Sequence, residues 1–280
     1  MKILVVGAGS AVGKLLVVNL ERDHEIIRSA RNGSDLDLDL SDLSDFTELP
    51  PAIDVVVHLA ASYGGKLPHQ MVEAENVNVM GTAILLQKAI EAGVKHVVYI
   101  SSTSAILSRD SLYWSAYALS KRHAEEMIQL MCNASNTNLT ILQPSQLYGI
   151  TEDFRSRQPF LYHVADQVQS NKDIVIQGSS DPQRNYLYVY DFIEVIARVI
   201  EKKISGTYSV TYPANYSFKE LCHEAIEAFR SSSKVMFDPE KPDIPDNVFP
   251  FDDTLYQLID FFPSISLKEG MRRIASNRSA

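Results

Sequence analysis

The stretch that decides the fold is Ile3–Lys14, ILVVGAGSAVGK. Four apolar residues run into three glycines within seven residues, and a helical pattern of apolar positions follows. This reads as strand, tight turn and helix, the shape of a phosphate-binding loop. The spacing matches no nucleotide fingerprint in full. GxGxxG would take Gly7 and Gly9 and then require glycine at Val12. The P-loop GxxxxGK[ST] would require glycine at Ala8 and a hydroxyl at Leu15. A third pattern, GxxGxxG, keeps Gly7 and Gly13 but meets Ser10 in the middle.

Outward from that loop, short apolar strands alternate with helical patterns. Strands are expected at Ile3–Val6, Glu25–Ile27, Val55–Leu59, Val97–Ser101 and Thr140–Leu142, with helices at Gly13–Leu20, Val77–Ala92 and Tyr117–Met131. Continuous apolar strands separated by amphipathic helices predict an α/β fold, a doubly wound parallel sheet of Rossmann type covered on both faces. Ligands of such sheets bind beyond the carboxyl ends of the strands. The glycine loop, Leu59-Ala60-Ala61 and Ser101-Ser102-Thr103 all fall there. After about Pro144 the loops lengthen, and aromatics and prolines increase. We expect residues 1–150 to form a dinucleotide-binding domain and residues 151–280 a smaller substrate lobe, partly interleaved with it. Two capping boxes are expected in the later part, Asp191-Phe-Ile-Glu194 and Ser217-Phe-Lys-Glu220. LDLDLSDLSD at 36–45 is a brief low-complexity tract, and its leucines and lack of an EF-hand glycine argue against a calcium loop.

The bulk properties narrow the class. The chain has 280 residues, 45% hydrophobic and 22% charged, which suits a globular protein. A net charge of -9 argues against a nucleic-acid partner, yet leaves room for an anionic small substrate held by local arginines. Cys132 and Cys222 are far apart, so a disulfide framework is not expected and a reducing compartment fits. Glycines interrupt the apolar start, which therefore reads as strand and turn rather than a secretory segment. No run approaches the roughly 18 apolar residues of a membrane span. A cytoplasmic protein without a membrane partner is expected, and no metal site is.

The strongest chemical signal is Tyr117-Ala-Leu-Ser-Lys121. Positions i and i+4 share one helix face, so phenol and ammonium can serve one site. A free phenol is only about 0.1% ionised at pH 7, and a useful base needs a downward shift of roughly three units, about 4 kcal/mol. A neighbouring lysine cation favours that shift. An isolated YxxxK is more often a surface tyrosine with a solvated lysine. Here the strand Val97–Ile100 is followed by Ser101-Ser102-Thr103-Ser104, hydroxyls that can reach a substrate oxygen or merely cap a turn. With the glycine loop, these are the parts of a nicotinamide-dependent carbonyl or carbinol site.

At these residues the sequence resembles the extended short-chain dehydrogenase/reductases, in the NAD-dependent epimerase/dehydratase group acting on nucleotide sugars. The resemblance also covers Asp54-Val-Val-Val-His-Leu-Ala-Ala61, Asn78-Val-Met-Gly-Thr82, Ala92 to Ser102, Gln143-Pro144, Gln183 to Asp191 and Ser266-Leu-Lys-Glu-Gly270. It implies Thr103, Tyr117 and Lys121 as the catalytic set. It implies a cofactor site of Gly7, Gly9, Ser10, Ala11, Val12, Gly13, Asp39, Leu40, Leu59, Ala60, Ala61, Asn78, Ser101, Tyr117, Lys121 and Pro144. Thr103, Ser145 and Arg184 would contact the substrate, with Arg184 on its diphosphate. Asp191 is expected to cap its own helix. The family loop is GxxGxxG, from which Ser10 departs. Family dimers pair through a helix bundle, so a homodimer using the Tyr117–Met131 helix is expected.

The end of the second strand bears on the cofactor. NAD-selective folds place an acid there for the ribose 2′-OH. This chain has Ala30-Arg31, with Arg28 as a second cation. A small residue followed by an arginine favours NADP over NAD. The interval from Thr103 to Tyr117 is shorter than in sugar epimerases and dehydratases. With Ser111-Leu-Tyr113, it resembles nucleotide-sugar 4-ketoreductases of the CDP-paratose synthase type. Ser104-Ala105 stand where dehydratases carry Asp-Glu. The resemblance thus implies NADPH-dependent reduction of a nucleotide-linked 4-keto-6-deoxysugar. The alternatives are an NAD(P)-dependent nucleotide-sugar 4-epimerase and a non-catalytic NADP-binding sensor.

Overall fold

The computed structural model describes residues 1–42 and 48–279, so residues 43–45 of the aspartate-leucine tract lie outside the described residues. The chain divides into two compact units. The first comprises residues 1–144, 193–210 and 254–260, and the second residues 145–192, 211–253 and 261–280.

The first unit holds a seven-stranded sheet. Its strands are β1 (Lys2–Val6), β2 (Glu25–Ala30), β3 (Leu36–Asp37), β4 (Val55–His58), β5 (His96–Ile100), β6 (Asn138–Pro144) and the strand Gly206–Val210. The order across the sheet is Gly206–Val210, β6, β5, β4, β1, β2, β3, and each pair is parallel. The expected doubly wound sheet is present. Val55, Val56 and Val57 of β4 are 3% exposed or less, as a strand covered on both faces requires. The helices α1 (Ala11–Leu20), α2 (Pro68–Glu75), α3 (Thr82–Glu91) and α4 (Ala116–Asn133) connect the strands. Leu85, Leu86 and Ala89 of α3 share a core with Val97 and Tyr99 of β5 and Ala124 and Ile128 of α4. That packing fixes α4 beside the end of β5.

The sequence differs from its local expectation at three places. Val77–Ala92 is not one α-helix, because Asn76–Gly81 winds as a π-helix between α2 and α3. A wider turn of this kind is common at functional sites. Gly81 lies there against the carbonyl of Leu40, which a Cβ would meet at 2.6 Å. Leu36-Asp37 of the aspartate-leucine tract forms β3, pairing with Ser29 and Ala30. Asp191 does not cap its own helix, since the helix Val189–Lys202 begins two residues earlier. Its carboxylate instead accepts from the amides of Ser264 (3.0 Å) and Ile265 (2.9 Å), a longer-range partner that sequence spacing does not reveal.

The second unit is built on three helices, Pro159–Gln169, Phe218–Phe229 and Leu267–Ser279, with three two-stranded ribbons. Here the Ser217 box forms as expected. The Ser217 hydroxyl accepts from Glu220 N at 3.1 Å, and the Ser217 amide donates to the Glu220 carboxylate at 2.6 Å. Among the described residues no helix is long and apolar enough to cross a membrane.

Candidate active site

Parallel strands put their carboxyl ends on one edge, and most of the candidate residues gather along it. Gly7 has φ +91°, and a Cβ there would come within 2.7 Å of the Ala60 amide. A side chain at Gly13 would run into the carbonyl of Gly7. These two glycines are therefore dictated by backbone approach. Gly9 is different, since its nearest neighbour would be the Ala30 side chain at 3.9 Å. That contact places the loop beside the end of β2. The amides of Gly7 and Ala8 donate to Ser29 O at 2.9 and 3.0 Å, and those of Leu59 and Ala60 to Val6 O at 2.8 and 3.2 Å.

Ser10 has a structural task. It is the N-cap of α1, and its hydroxyl accepts from the Gly13 amide at 3.0 Å. Serine is among the strongest cap residues, so the departure from GxxGxxG exchanges backbone freedom for a cap. Ala11 and Val12 are the first residues of α1, at the positive end of the helix, where amides have no partner within the helix itself. A cradle too tight for a Cβ, closed by a helix N-terminus, fits the diphosphate of a dinucleotide.

At the end of β2 the two arginines separate. The Arg28 guanidinium pairs with Glu21 and lies 3.6 Å from Asp35. The Arg31 side chain is 66% exposed, with Nε 3.8 Å from Asp39. Asp39 also accepts from the Ser41 hydroxyl at 2.7 Å, which holds its carboxyl below the usual range. Leu40 is buried in the core beside Val77 and Val79.

The chemistry-bearing groups come from β5 and α4. Ser101 and Thr103 are 3% and 4% exposed. Ser102 caps the short 3-10 turn Thr103–Ile106 by accepting from Ser104 N at 3.1 Å, so of the four hydroxyls it is the one used as a cap. The Thr103 hydroxyl donates to the Pro144 carbonyl at 3.4 Å, tying it to the end of β6. Ser115 caps α4, accepting from Ala118 N at 3.3 Å, and the helix begins at Ala116, one residue before Tyr117. Lys121, one turn later, is 1% exposed. Its ammonium donates to Ile100 O at 2.7 Å and to Tyr99 Oη at 3.0 Å. Burial brings it down to about 7 from 10.5, opposed by the Glu125 carboxylate. Burial also pushes the Tyr99 phenol up and brings the His58 imidazole down to about 3. His58 is thus neutral, with Nε2 2.9 Å from the Thr82 hydroxyl.

Two contributors escaped the sequence reading, Tyr99 and Tyr63, and a third, Asn78, expected at the cofactor, has a structural task as well. Tyr99 anchors Lys121. Tyr63 stacks on Tyr117 with ring centroids 4.7 Å apart and planes 16° apart. Asn78 is a bracket: its Oδ1 accepts from Ser62 N at 2.7 Å, and its Nδ2 donates to Ser62 O at 2.7 Å and to Ser120 Oγ at 2.9 Å. A two-glycine stretch, Gly64-Gly65, signals a turn after Tyr63, but nothing in sequence pairs that turn with α4.

Ser145 and Arg184 belong to the second unit. The Ser145 side chain is buried, and its Oγ has no hydrogen-bond partner among the described residues. Arg184 is 6% exposed. Its Nη1 donates to Gln183 O (2.7 Å) and Pro245 O (2.9 Å), and its guanidinium lies 4.9 Å from the Phe218 ring centre.

A family model described as the NAD dependent epimerase/dehydratase family matches residues 3–211. The chain belongs to that family. Among its relatives is dTDP-4-dehydro-6-deoxy-D-allose reductase of Streptomyces sp, 26% identical over 260 residues, covering 85% of this chain and 79% of that protein. UDP-glucuronic acid decarboxylase 1 of Arabidopsis thaliana is 23% identical over 241 residues, or 80% of this chain, which spans only 55% of that protein's length. Among solved structures, RMD from Pseudomonas aeruginosa complexed with NADPH superposes with a TM-score of 0.81. It is 20% identical and covers 99% of this chain and 98% of that one, a likeness of fold.

Proposed function

We propose that this family member reduces a nucleotide-linked 4-keto-6-deoxysugar with NADPH. One observation carries the reading: Tyr117 sits one helical turn before a buried Lys121, on the helix packed against the end of β5 where Thr103 stands. The preference for NADP rests on Arg31, which projects from the end of β2 while Arg28 is held by Glu21. A reductase of a dTDP-linked 4-keto sugar among the relatives supports the direction.

The glycine loop would hold the cofactor diphosphate on the Ala11 and Val12 amides, and Arg31 its 2′-phosphate. Leu59, Ala60, Ala61, Ser101 and Pro144 line the same edge, and Asp39-Leu40 would flank the adenine. Asn78 serves that edge by fixing the Ser62 backbone. When bound, the reduced nicotinamide would supply the hydride for a substrate carbonyl carbon. Tyr117 Oη then gives its proton to the oxygen that becomes the new alcohol, and Thr103 Oγ1 hydrogen-bonds the same oxygen. The phenolate left on Tyr117 is stabilised by the Lys121 ammonium until solvent reprotonates it. Within the second unit, the Arg184 guanidinium, held by the Gln183 and Pro245 carbonyls, and the Ser145 hydroxyl, unpartnered among the described residues, are groups suited to a diphosphate and a sugar hydroxyl.

The test is incubation with NADPH and UDP-, dTDP-, CDP- and GDP-linked 4-keto-6-deoxysugars. Reduced-cofactor absorbance should fall with at least one, and a flat trace with all four overturns the reading. Tyr117→Phe should abolish turnover while NADPH still binds.

A further inference from the structure

The loop after β4 carries a tyrosine that the proposed reaction does not use. Tyr63 is 46% exposed, yet its ring lies nearly parallel to that of Tyr117 at 4.7 Å. The backbone is built to hold it there. Asn78 grips both the amide and the carbonyl of Ser62 and, with its remaining donor, Ser120 of α4. Gly64 turns the chain with φ +60°, and a Cβ on it would lie 3.7 Å from Ala116 Cβ, at the start of α4. Ser62, on one side of Tyr63, is thus tied through Asn78 to the helix that bears Tyr117, and Gly64, on the other, turns the chain beside the start of that helix.

An aromatic face carries negative charge density. A phenolate stacked on such a face is disfavoured relative to a phenol, and the covering ring also removes water from one side of the anion. Both effects have the same sign. We propose that Tyr63 is a positioning residue which, by stacking on Tyr117, holds that side chain in its protonated form and so biases the site towards giving a proton. The inference rests on the reading of Tyr117 as the proton donor.

Other groups around Tyr117 must be weighed. Lys121 on its own helix favours the phenolate, with Glu125 one turn beyond. Tyr99 of β5 is close enough that each phenolate would repel the other. From α2, Glu73 accepts from the Ser62 hydroxyl at 3.4 Å, and Glu75 pairs with His123 of α4 at 3.2 Å. The π-helix presents the neutral Asn78, and the 3-10 turn presents the hydroxyls of Thr103 and Ser104. Arg122 of α4 is turned to the Ala105 carbonyl and the Trp114 ring. None of these hydrogen bonds, ion pairs and ring contacts is made by the Tyr63 side chain.

The test titrates Tyr117 directly in the full chain without ligand. Tyrosine isotope-labelled at Cζ gives one resonance per ring, and Tyr117→Phe identifies that of Tyr117. Tyr63→Leu and Tyr63→Met should each lower its midpoint by about half a pH unit, whereas Tyr63→Phe, which keeps the ring, should not move it. Two aliphatic variants guard against one that fails to fold. An unchanged or raised midpoint in the folded aliphatic variants overturns the proposal, as does a drop of equal size in Tyr63→Phe. The alkaline limb of the NADPH-dependent rate should move down by the same half unit. A wild-type protein that reduces no ketosugar would refute the reductase reading alone, because the resonance titration needs no substrate.

Discussion

Replacing Lys121 by methionine should stabilise the ligand-free protein at low pH and destabilise it at high pH. The ammonium is 1% exposed and holds two acceptors, Ile100 O and Tyr99 Oη. Burial lowers it from 10.5 to about 7. That difference corresponds to about 5 kcal/mol of unfavourable free energy whenever the folded lysine is charged. Methionine removes this cost but leaves the two acceptors unpaired, at about 1–3 kcal/mol each, although the Tyr99 hydroxyl can still donate. The variant should therefore be more stable by roughly 1–3 kcal/mol at pH 6. The pH dependence is the sharper test. Above about pH 7 the folded lysine has lost its proton while the unfolded one keeps it up to 10.5. The unfolded state then binds more protons, so wild-type stability rises with pH across that window. The gain relative to Lys121→Met is about 1.4 kcal/mol per pH unit, and below pH 7 this group adds no slope. By pH 9 the wild type should have recovered about 3 kcal/mol and be the more stable protein or its equal. Urea unfolding of both proteins at pH 6, 7.5 and 9 measures this. Midpoints that stay a constant distance apart would refute the claim that Lys121 folds at a desolvation cost.

Ser10→Ala should cost about 1 kcal/mol in urea unfolding and Ser10→Gly only a few tenths, because glycine tolerates the cap position while alanine does not. Gly13→Ala drives a methyl into the Gly7 carbonyl and should lower stability by about 1–3 kcal/mol and abolish NADPH binding measured by calorimetry. Arg31→Ala should weaken NADPH by about tenfold or more, the value of one charge-assisted contact, and leave NADH unchanged. Asn78→Ala removes three hydrogen bonds and should cost about 2–4 kcal/mol, with a fall in turnover that persists under conditions where the variant is fully folded.

Sequence patterns reported the fold wherever one element's own residues decided it. Val55–Val57 are apolar because both sheet faces are covered, and the Ser217 box forms because both partners lie within one turn. Legibility failed where a second element decided. Asp191 has the spacing of a cap, but the amides of Ser264 and Ile265 claim its carboxylate. Val77–Ala92 has helical periodicity throughout, and periodicity is blind to the wider turn at Asn76–Gly81 because apolar positions still fall near one face. The candidate site divides the same way. Tyr117 and Lys121 stand four apart on one helix, and Gly7 and Gly13 bracket one turn, so motif spacing brings them forward. Tyr63 and Tyr99 reach the same helix from the loop after β4 and from β5, and their contacts arise only when the parallel order β4, β5, β6 is in place. Spacing thus identifies the groups that could exchange a proton, while the groups that set their proton affinity come from neighbouring strands. Ser10 belongs to both cases: as a motif position it is a misfit, and as the cap of α1 it is the residue the helix start requires.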